Sequence, residues 1–284
     1  MMSAKTNQTN FYALAWRTPL IAFQGLFFVG PLLFMFAMSF FLVKNYRMEP
    51  ALQLGNWTKT LSKGFFWDSY FLTLWLAALA VITTCAIAFP ASYFLAFRVS
   101  ANVRRWAIFF LIIPFFTSYL VRIFAWQVIL AQQGVINAGF SFVGLGPYTM
   151  LNTKLGTMIG YLTLCLPLVV ILQTFSLANI DQRYIEAAHN LGCGRLRAIF
   201  TVIMPLAKTG LIVAAVFCFI LSFGDFVAPY YLGGSKPPTL SIMIIDTSKS
   251  GQQWPRAAVV AIMMIVTLLV VAFSAISYAY GKRK

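Results

Sequence analysis

The sequence predicts an all-α integral membrane protein that crosses the membrane six times. Of its 284 residues, 61% are hydrophobic and only 10% are charged, whereas an ordinary soluble domain has about 45–50% apolar and about 25% charged residues. Six apolar stretches are each long enough for the roughly 20 residues that a membrane-spanning helix needs. These stretches cover residues 18–43, 69–97, 105–130, 156–178, 209–232 and 257–280.

A single domain accounts for all the predicted spans. We expect a polar cytoplasmic tail at residues 1–17 and one membrane domain over residues 18–284. The first apolar stretch is far longer than a signal-peptide core and lacks a convincing small-residue cleavage site, so it is predicted to remain as an anchor. The longest outer connection, about residues 44–68, is too short for a separate domain.

The distribution of Lys and Arg predicts that both termini lie in the cytoplasm. A net charge of +15 can indicate nucleic-acid binding, but in a membrane protein the loops that carry the charge decide its meaning. With the N-terminus inside, the inner segments hold twelve basic residues and the outer segments eight, which are spread over about twice as much loop. The same alternation places residues 179–208 in the cytoplasm. No nucleic-acid partner is expected.

Side chains that carry chemistry are few. The cysteines have neither metal nor redox spacing, and His189 is the only histidine. No Gly-x-x-x-x-Gly-Lys-Ser/Thr phosphate loop occurs, so no ATP site of that type is expected. Without a nucleophile and base, paired acids or a metal cluster, the sequence predicts no catalytic or metal-binding residues. The four cysteines, Cys85, Cys165, Cys193 and Cys218, are predicted to be packing residues.

The fifth span is not expected to be a continuous straight helix. Gly224, Asp225 and Pro229 lie within its apolar run, and glycine and proline both weaken a helix interior. A proline also leaves a carbonyl oxygen that neighbours or water must satisfy. We expect the helix to break near Pro229 and the following Gly233 and Gly234, toward the outer leaflet, as helices beside transport paths often do.

Two charged residues, Arg122 and Asp225, lie inside predicted spans. A charge at such a position costs about 2.5–3.5 kcal/mol on insertion scales, so each needs a partner or a function. Each lies seventeen positions beyond a basic residue at the inner end of its span, Arg105 or Lys208. At about 1.5 Å per residue, both lie about 25 Å from the cytoplasmic end, and we expect them at similar height in the outer half.

Two interpretations of these charges remain open. In the first, Arg122 and Asp225 form an internal ion pair between spans three and five. In the second, the Asp225 carboxylate receives a cationic substrate. A cation path would gain aromatic faces. The candidate aromatic residues are Trp126, Phe223, Phe226 and Tyr230.

A short cytoplasmic helix is predicted between spans four and five. Asp181 can cap its start and Gly192 can end it in a left-handed turn, which leaves two to three turns. Ala187 would leave backbone accessible on one side, and Glu186 would supply a charged contact. His189 is expected on the exposed face. A helix lying on lipid head groups is the alternative, because several arginines are nearby.

This segment resembles the EAA loop of ABC importer permeases, in which Glu-Ala-Ala, three residues, Gly, nine residues and Ile-x-Leu-Pro contact a separate ATPase subunit. Val202 and Met204 stand where that pattern has Ile and Leu, and both changes are apolar swaps. The residues that match the spacing, and to which the resemblance assigns ATPase coupling, are Glu186, Ala187, Ala188, Gly192 and Pro205.

Further motifs resemble the spermidine/putrescine branch of these permeases. They are Ile-Pro-Phe-Phe-Thr-Ser-Tyr-Leu-Val-Arg at 113–122, Gln-Gly-Val-Ile-Asn at 133–137, Gly-Asp-Phe-Val with a following proline at 224–229, Leu-Gly-Gly at 232–234 and Trp-Pro at 254–255. Phe116 stands where that branch usually has Trp, and Val121 where it has Ile. Together these motifs extend from span three to span six.

The resemblance implies a type I ABC importer permease fold, with a cytoplasmic coupling helix between transmembrane helices 4 and 5. It also implies a heteromeric importer in the bacterial inner membrane. Its other parts would be two ATPase subunits that bind ATP and Mg²⁺, a second homologous permease, and a periplasmic or lipid-anchored binding protein. This chain would be a transport subunit without cofactor or enzymatic activity of its own.

The resemblance indicates polyamines as substrate, and opines, other amines or organic acids are the alternatives within this type of permease. A different mechanism is an ion-coupled secondary transporter in which Asp225 is a proton or sodium site. A single intramembrane acid and the lack of a detectable inverted repeat argue against that mechanism.

Overall fold

The computed structural model describes residues 16–250 and 252–281. These residues belong to two compact units, one of residues 16–64 and 244–263 and the other of residues 65–243 and 264–281. The described helices are α1 (Trp16–Met38), α2 (Gly55–Leu61), α3 (Gly64–Phe97), α4 (Ala101–Phe116), α5 (Tyr119–Leu130), α6 (Val135–Phe142), α7 (Lys154–Ala178), α8 (Gln182–Asn190), α9 (Arg195–Leu206), α10 (Lys208–Gly224), α11 (Val227–Tyr231), α12 (Leu240–Lys249) and α13 (Trp254–Tyr280).

The described helices support the predicted membrane fold. Five helical runs are long and apolar enough to cross a membrane: α1, α3, the run Tyr119–Phe142, α7 and α13. The pair α9 and α10 makes a sixth candidate if the two are counted as one span, although they meet at a bend of 77°. The tail predicted at residues 1–17 lies outside the described residues, except for its last two positions.

The first span ends earlier than predicted. After α1 the chain forms an antiparallel hairpin of two short strands, β1 (Leu42–Lys44) and β2 (Arg47–Glu49). Its turn residues Asn45 and Tyr46 have φ angles of 49° and 61°, as a tight two-residue hairpin requires. The first span therefore ends at Met38 rather than at residue 43, and the hairpin follows it within a mostly helical fold.

A buried asparagine explains why the helix stops here. The side-chain amide of Asn56 donates to the carbonyl oxygens of Ser39 at 2.9 Å and Phe41 at 2.7 Å. The indole N–H of Trp57 donates to the Ser39 hydroxyl at 3.2 Å. The two bonds from Asn56 satisfy carbonyl oxygens just beyond the end of α1, where the helix offers no donor. Their donors lie more than a dozen residues away, so the local sequence of the span did not indicate them.

The third predicted span, 105–130, is broken between α4 and α5. Thr117 is extended, with φ −98° and ψ 141°, and its hydroxyl donates to the carbonyl oxygen of Pro114 at 2.9 Å. Such a side-chain bond competes with continuation of the helix. Ser118 then occupies the position before the first turn of α5, where serine is favoured.

The fifth span breaks as predicted, but at Asp225 rather than at Pro229. α10 ends at Gly224, Asp225 is extended with φ −72° and ψ 135°, and α11 begins at Val227. Pro229 lies inside α11 and is buried. The segment after the break, predicted as a loop, contains the further helix α12.

In the unit of residues 65–243 and 264–281, buried clusters follow one another along α3 and α7. The first cluster contains Leu76, Ala80, Ile123, Leu130, Tyr161, Ala228 and Leu232, the second Ala88, Cys165, Val169, Val170, Ala214 and Cys218, and the third Ala96, Leu177, Ile203 and Ala207. Residue numbers rise in the same order on α3 and α7 and fall on α10 and α11. The second and fourth spans therefore run parallel and the fifth runs against them, as the predicted alternation requires.

The cysteines of the second cluster pack as expected. Cys165 and Cys218 are buried, and the Cys218 thiol lies 3.8 Å from the carbonyl oxygen of Ala80. Among the described residues no group of three or more His, Cys, Asp or Glu side chains is arranged to hold a metal ion. Close packing of small residues is the usual source of helix association in lipid.

Gly160 marks one such close approach, between α7 and α11. A Cβ atom at this position would collide with the Cβ of Ala228 and come within 3.3 Å of the side-chain ends of Ile123 and Leu232. We expect Gly160→Ala to destabilise the protein by about 1–3 kcal/mol, because overpacking forces neighbours to shift. Thermal unfolding of the purified protein in lipid measures this. Gly139→Ala is the matched control, since a Cβ there meets nothing within 4 Å; equal melting temperatures of the two variants would contradict the expectation.

Candidate functional sites

The cytoplasmic helix predicted from the sequence is α8, and its ends form as expected. A carboxylate oxygen of Asp181 accepts the Arg183 amide at 3.0 Å. Gly192 has a φ of +78°, and the amides of Gly192 and Cys193 donate to the carbonyl oxygens of His189 and Ala188 at 2.9 and 3.0 Å. This pair of bonds is the Schellman ending of a helix, which only glycine allows without strain.

One side of α8 is anchored and the other is open. Ile185 packs against the third buried cluster, whereas Glu186 and Ala187 are exposed and Ala188 is half-buried. Beside them, the side chain of Leu191 is 88% exposed. We call Glu186, Ala187 and Leu191 the coupling surface.

A groove of about 480 Å³ runs beside α8. One wall consists of Glu186, His189 and Arg195, and the other of Phe97 and Arg98 at the end of α3. His189 is exposed, as predicted, and its Nδ1 lies 2.9 Å from the carbonyl oxygen of Cys193, so the tautomer protonated at Nδ1 donates there. The α3 wall was not predicted; the basic residue Arg98, just after α3, was the local signal for it.

Pro205 is not part of the coupling surface. It is exposed near the end of α9, just before the bend of 77° between α9 and α10. A wide turn at Ile199–Ile203 precedes it, in which the Met204 amide donates to the carbonyl oxygen of Ile199. A proline has no N–H to donate, and a turn of this kind commonly accommodates the missing bond. The structure thus joins four of the five coupling candidates and leaves Pro205 at the bend.

The start of α10 is tied to the end of α13, a contact that the sequence did not indicate. The Lys208 ammonium donates to the carbonyl oxygen of Tyr278 at 2.9 Å and lies 3.8 Å from the centre of the Tyr278 ring. A cation over an aromatic face is attracted by the ring quadrupole. This contact connects the start of α10 with the end of α13.

Asp225 forms the second candidate site, at the break between α10 and α11. One carboxylate oxygen accepts the Val227 amide at 3.0 Å. The other accepts the Ala228 amide at 3.1 Å and the Tyr119 hydroxyl at 2.9 Å. Asp225 therefore satisfies amides at the start of α11, where a negative charge is favourable. Tyr119 lies within a motif of the sequence analysis, which assigned it no role.

Arg122 and Asp225 lie near the same residue but do not form an ion pair, so that interpretation was wrong for this conformation. Arg122 donates to the carbonyl oxygen of Thr163 at 3.2 Å, and its guanidinium carbon lies 5.6 Å from the centre of the Tyr119 ring. The Nε of Arg122 is buried and has no hydrogen-bond partner. Both charges contact Tyr119, which agrees with their predicted similar height.

The candidate aromatic residues separate into two groups. Phe226 and Tyr230 are 43% and 50% exposed; Phe226 directly follows Asp225 and Tyr230 lies in α11. Phe223 is fully buried and stacks on Phe219 with ring centres 5.2 Å apart, and Trp126 packs against the first buried cluster. Only the first two rings are therefore placed to meet a substrate in this conformation.

Comparison with known proteins agrees with this architecture. Residues 87–284 match the family described as binding-protein-dependent transport system inner membrane component. The spermidine/putrescine transport system permease protein PotB of Haemophilus influenzae is 27% identical over 209 residues, which are 73% of this chain and 71% of that protein. The inner membrane ABC transporter permease protein YdcU of Escherichia coli is 26% identical over 267 residues, 88% of this chain and 84% of that protein.

The fold also matches a solved structure. A chain of a bacterial ABC transporter involved in the import of the acidic polysaccharide alginate superposes with a TM-score of 0.79 at 17% identity, and the match covers 100% of both chains. A likeness at that identity concerns the fold alone. The family match covers more than two thirds of the chain, and the protein belongs to the binding-protein-dependent transport system inner membrane components, the permease subunits of ABC importers.

Proposed function

We propose that this permease imports polyamines of the spermidine and putrescine class. The observation that carries the proposal is the half-buried Asp225 carboxylate at the break of the fifth span, followed in the chain by the exposed rings of Phe226 and Tyr230. An ammonium group is attracted both by a carboxylate and by aromatic faces. The similarity to a permease named for spermidine and putrescine supports the same class.

The Asp225 carboxylate can still accept a hydrogen bond from a cation. A carboxylate offers about four lone-pair sites, and three hydrogen bonds occupy Asp225. These bonds hold its orientation, so a substrate ammonium meets a fixed acceptor and binding costs little reorganisation. Arg122 has no acidic partner among the described residues, so an anionic substrate that binds Arg122 is the competing proposal. The structurally similar transporter that imports acidic alginate illustrates such a substrate.

The coupling surface on α8 is proposed to bind an ATPase subunit. Glu186 supplies a charge, Ala187 leaves the backbone accessible and Leu191 supplies an apolar contact. A short helix with these features suits a groove on a partner protein. Two permease chains would engage two ATPase subunits, which bind ATP and Mg²⁺ and supply the energy. The lipid alternative would leave the Glu186 carboxylate beside anionic head groups, which repel it.

The remaining partners follow from the family and from the charge distribution. A second, homologous permease completes the translocation path, and a periplasmic or lipid-anchored binding protein delivers the substrate; the family description names dependence on such a protein. Both termini lie in the cytoplasm and the chain in the bacterial inner membrane, as the excess of basic residues on the inner segments indicates.

The test is the ATPase activity of the purified complex, reconstituted in lipid with its co-purifying subunits and its binding protein. We expect stimulation when the binding protein is loaded with spermidine or putrescine. The unloaded binding protein is the control. Alginate oligosaccharide tests an anionic substrate, and an opine tests another amine. Equal stimulation by unloaded protein, or stimulation only by the acidic ligand or the opine, would reject polyamines while leaving the permease assignment intact.

A further inference from the structure

A second polar cavity lies away from Asp225, at the first turn of α7. It has a volume of about 220 Å³ and lies entirely within the unit of residues 65–243 and 264–281. α3 contributes Leu72 and Leu76, the start of α7 contributes Thr153, Lys154 and Thr157, and the chain between α11 and α12 contributes Ser235, Lys236 and Thr239 to its wall. Neither the coupling surface nor the Asp225 site includes any of these residues.

The cavity is built for a negative charge. Lys154 and Lys236 are the charged residues of its lining, which includes no aspartate or glutamate. The lining also includes the start of the 25-residue helix α7, where Thr153 is the N-cap and accepts the Gly156 amide at 3.2 Å. The amides and dipole at such a helix start favour an anion. A polyamine would be repelled here.

A buried hydroxyl group without a partner gives independent support. Thr239 lines the cavity and is only 2% exposed, and its hydroxyl has no hydrogen-bond partner in the described protein. The Leu240 amide donates instead to the Thr73 hydroxyl at 3.0 Å. An unmet buried hydroxyl costs about 1–3 kcal/mol, so its retention beside two lysines points to a ligand that accepts a hydrogen bond.

We propose that this cavity binds a phosphate group. The group belongs to an anionic phospholipid or to free phosphate, and the position of the cavity favours the lipid. α7 is a membrane-spanning helix, so its first turn lies at the level of the head groups. Leu72 is half-buried beside the cavity and offers an apolar contact to an acyl chain, while the lysines hold the phosphate.

The experiment counts phospholipids retained by the purified complex. The complex is placed in nanodiscs of phosphatidylcholine, alone or with phosphatidylglycerol, and native mass spectrometry counts bound phosphatidylglycerol. The variant Lys154→Gln/Lys236→Gln is expected to bind it about 25-fold more weakly, since each lysine contributes about fivefold near an anionic head group. The matched control Lys59→Gln/Lys63→Gln removes the same charge from exposed positions outside the cavity and is expected to retain the lipid.

A second variant separates binding from folding. Thr239→Val keeps the shape of the side chain and removes the unmet hydroxyl. We expect it to raise the melting temperature in phosphatidylcholine alone and to lower the retention of phosphatidylglycerol. Added inorganic phosphate distinguishes the sources. If phosphate raises the melting temperature of the wild type but not of Lys154→Gln/Lys236→Gln, free phosphate is a ligand. If only phosphatidylglycerol raises the melting temperature in this way, the ligand is the lipid. Equal retention by both double variants, with no response to phosphate, would overturn the proposal.

Discussion

Glu186→Lys is expected to abolish ATP-driven uptake while the protein still inserts into the membrane. Glu186 is exposed on α8, so the substitution breaks no packing. It reverses the charge of the coupling surface in a segment that already carries several arginines. We expect uptake to fall about thirtyfold or more, because losing one partner of a buried charged hydrogen bond across an interface costs at least about 2 kcal/mol. Uptake of labelled spermidine into energised vesicles measures this effect.

The control for this prediction is Glu49→Lys. Glu49 lies on β2 and is exposed, so this variant changes the net charge equally at a position outside the coupling surface. Co-purification of the ATPase subunits shows where the defect arises: we expect the subunits to be lost from Glu186→Lys and retained by Glu49→Lys. Normal uptake by Glu186→Lys would instead favour an α8 that lies on lipid head groups.

Asp225→Asn is expected to lower polyamine uptake by about tenfold or more. The asparagine oxygen still accepts an amide at the start of α11, but the negative charge that attracts the substrate is lost. A hydrogen bond to a charged group contributes about 1.5–3 kcal/mol, which corresponds to roughly ten- to a hundredfold. Uptake is measured across a range of spermidine concentrations, together with the melting temperature of the purified complex.

Tyr119→Phe is the matched variant for Asp225→Asn. It removes the 2.9 Å hydrogen bond to Asp225 and keeps the carboxylate charge. If Asp225 receives the substrate, Tyr119→Phe keeps the charge that attracts it, so we expect this variant to lower uptake less than Asp225→Asn does, even at an equal loss of melting temperature. If Asp225 serves only to cap α11, both variants lose uptake in proportion to their loss of melting temperature, and the substrate role is rejected.

Local interactions explain which features were predictable. The ends of α8 depend on Asp181 and Gly192, each of which contacts backbone within five positions. A break in the fifth span was likewise predictable from Gly224, Asp225 and Pro229, although its position at Asp225 was not. The spans follow from apolar runs, because a helix in lipid satisfies its own backbone. The break at Thr117 was equally local, but it was not predicted, because the residues around its threonine and serine are apolar.

The sequence by itself determined the helical membrane fold, the alternation of the spans and the position of the coupling helix. The tertiary structure decided the partners of the charged side chains. Tyr119 and Asp225 are 106 positions apart in the chain, and their contact replaced the expected pairing of Arg122 with Asp225. The tertiary structure also places the end of α3 beside α8, and it places Lys154 and Lys236 in the lining of the same cavity. Caps and apolar runs are encoded within a few residues, whereas these contacts depend on how whole helices pack, which hydrophobic pattern alone does not specify.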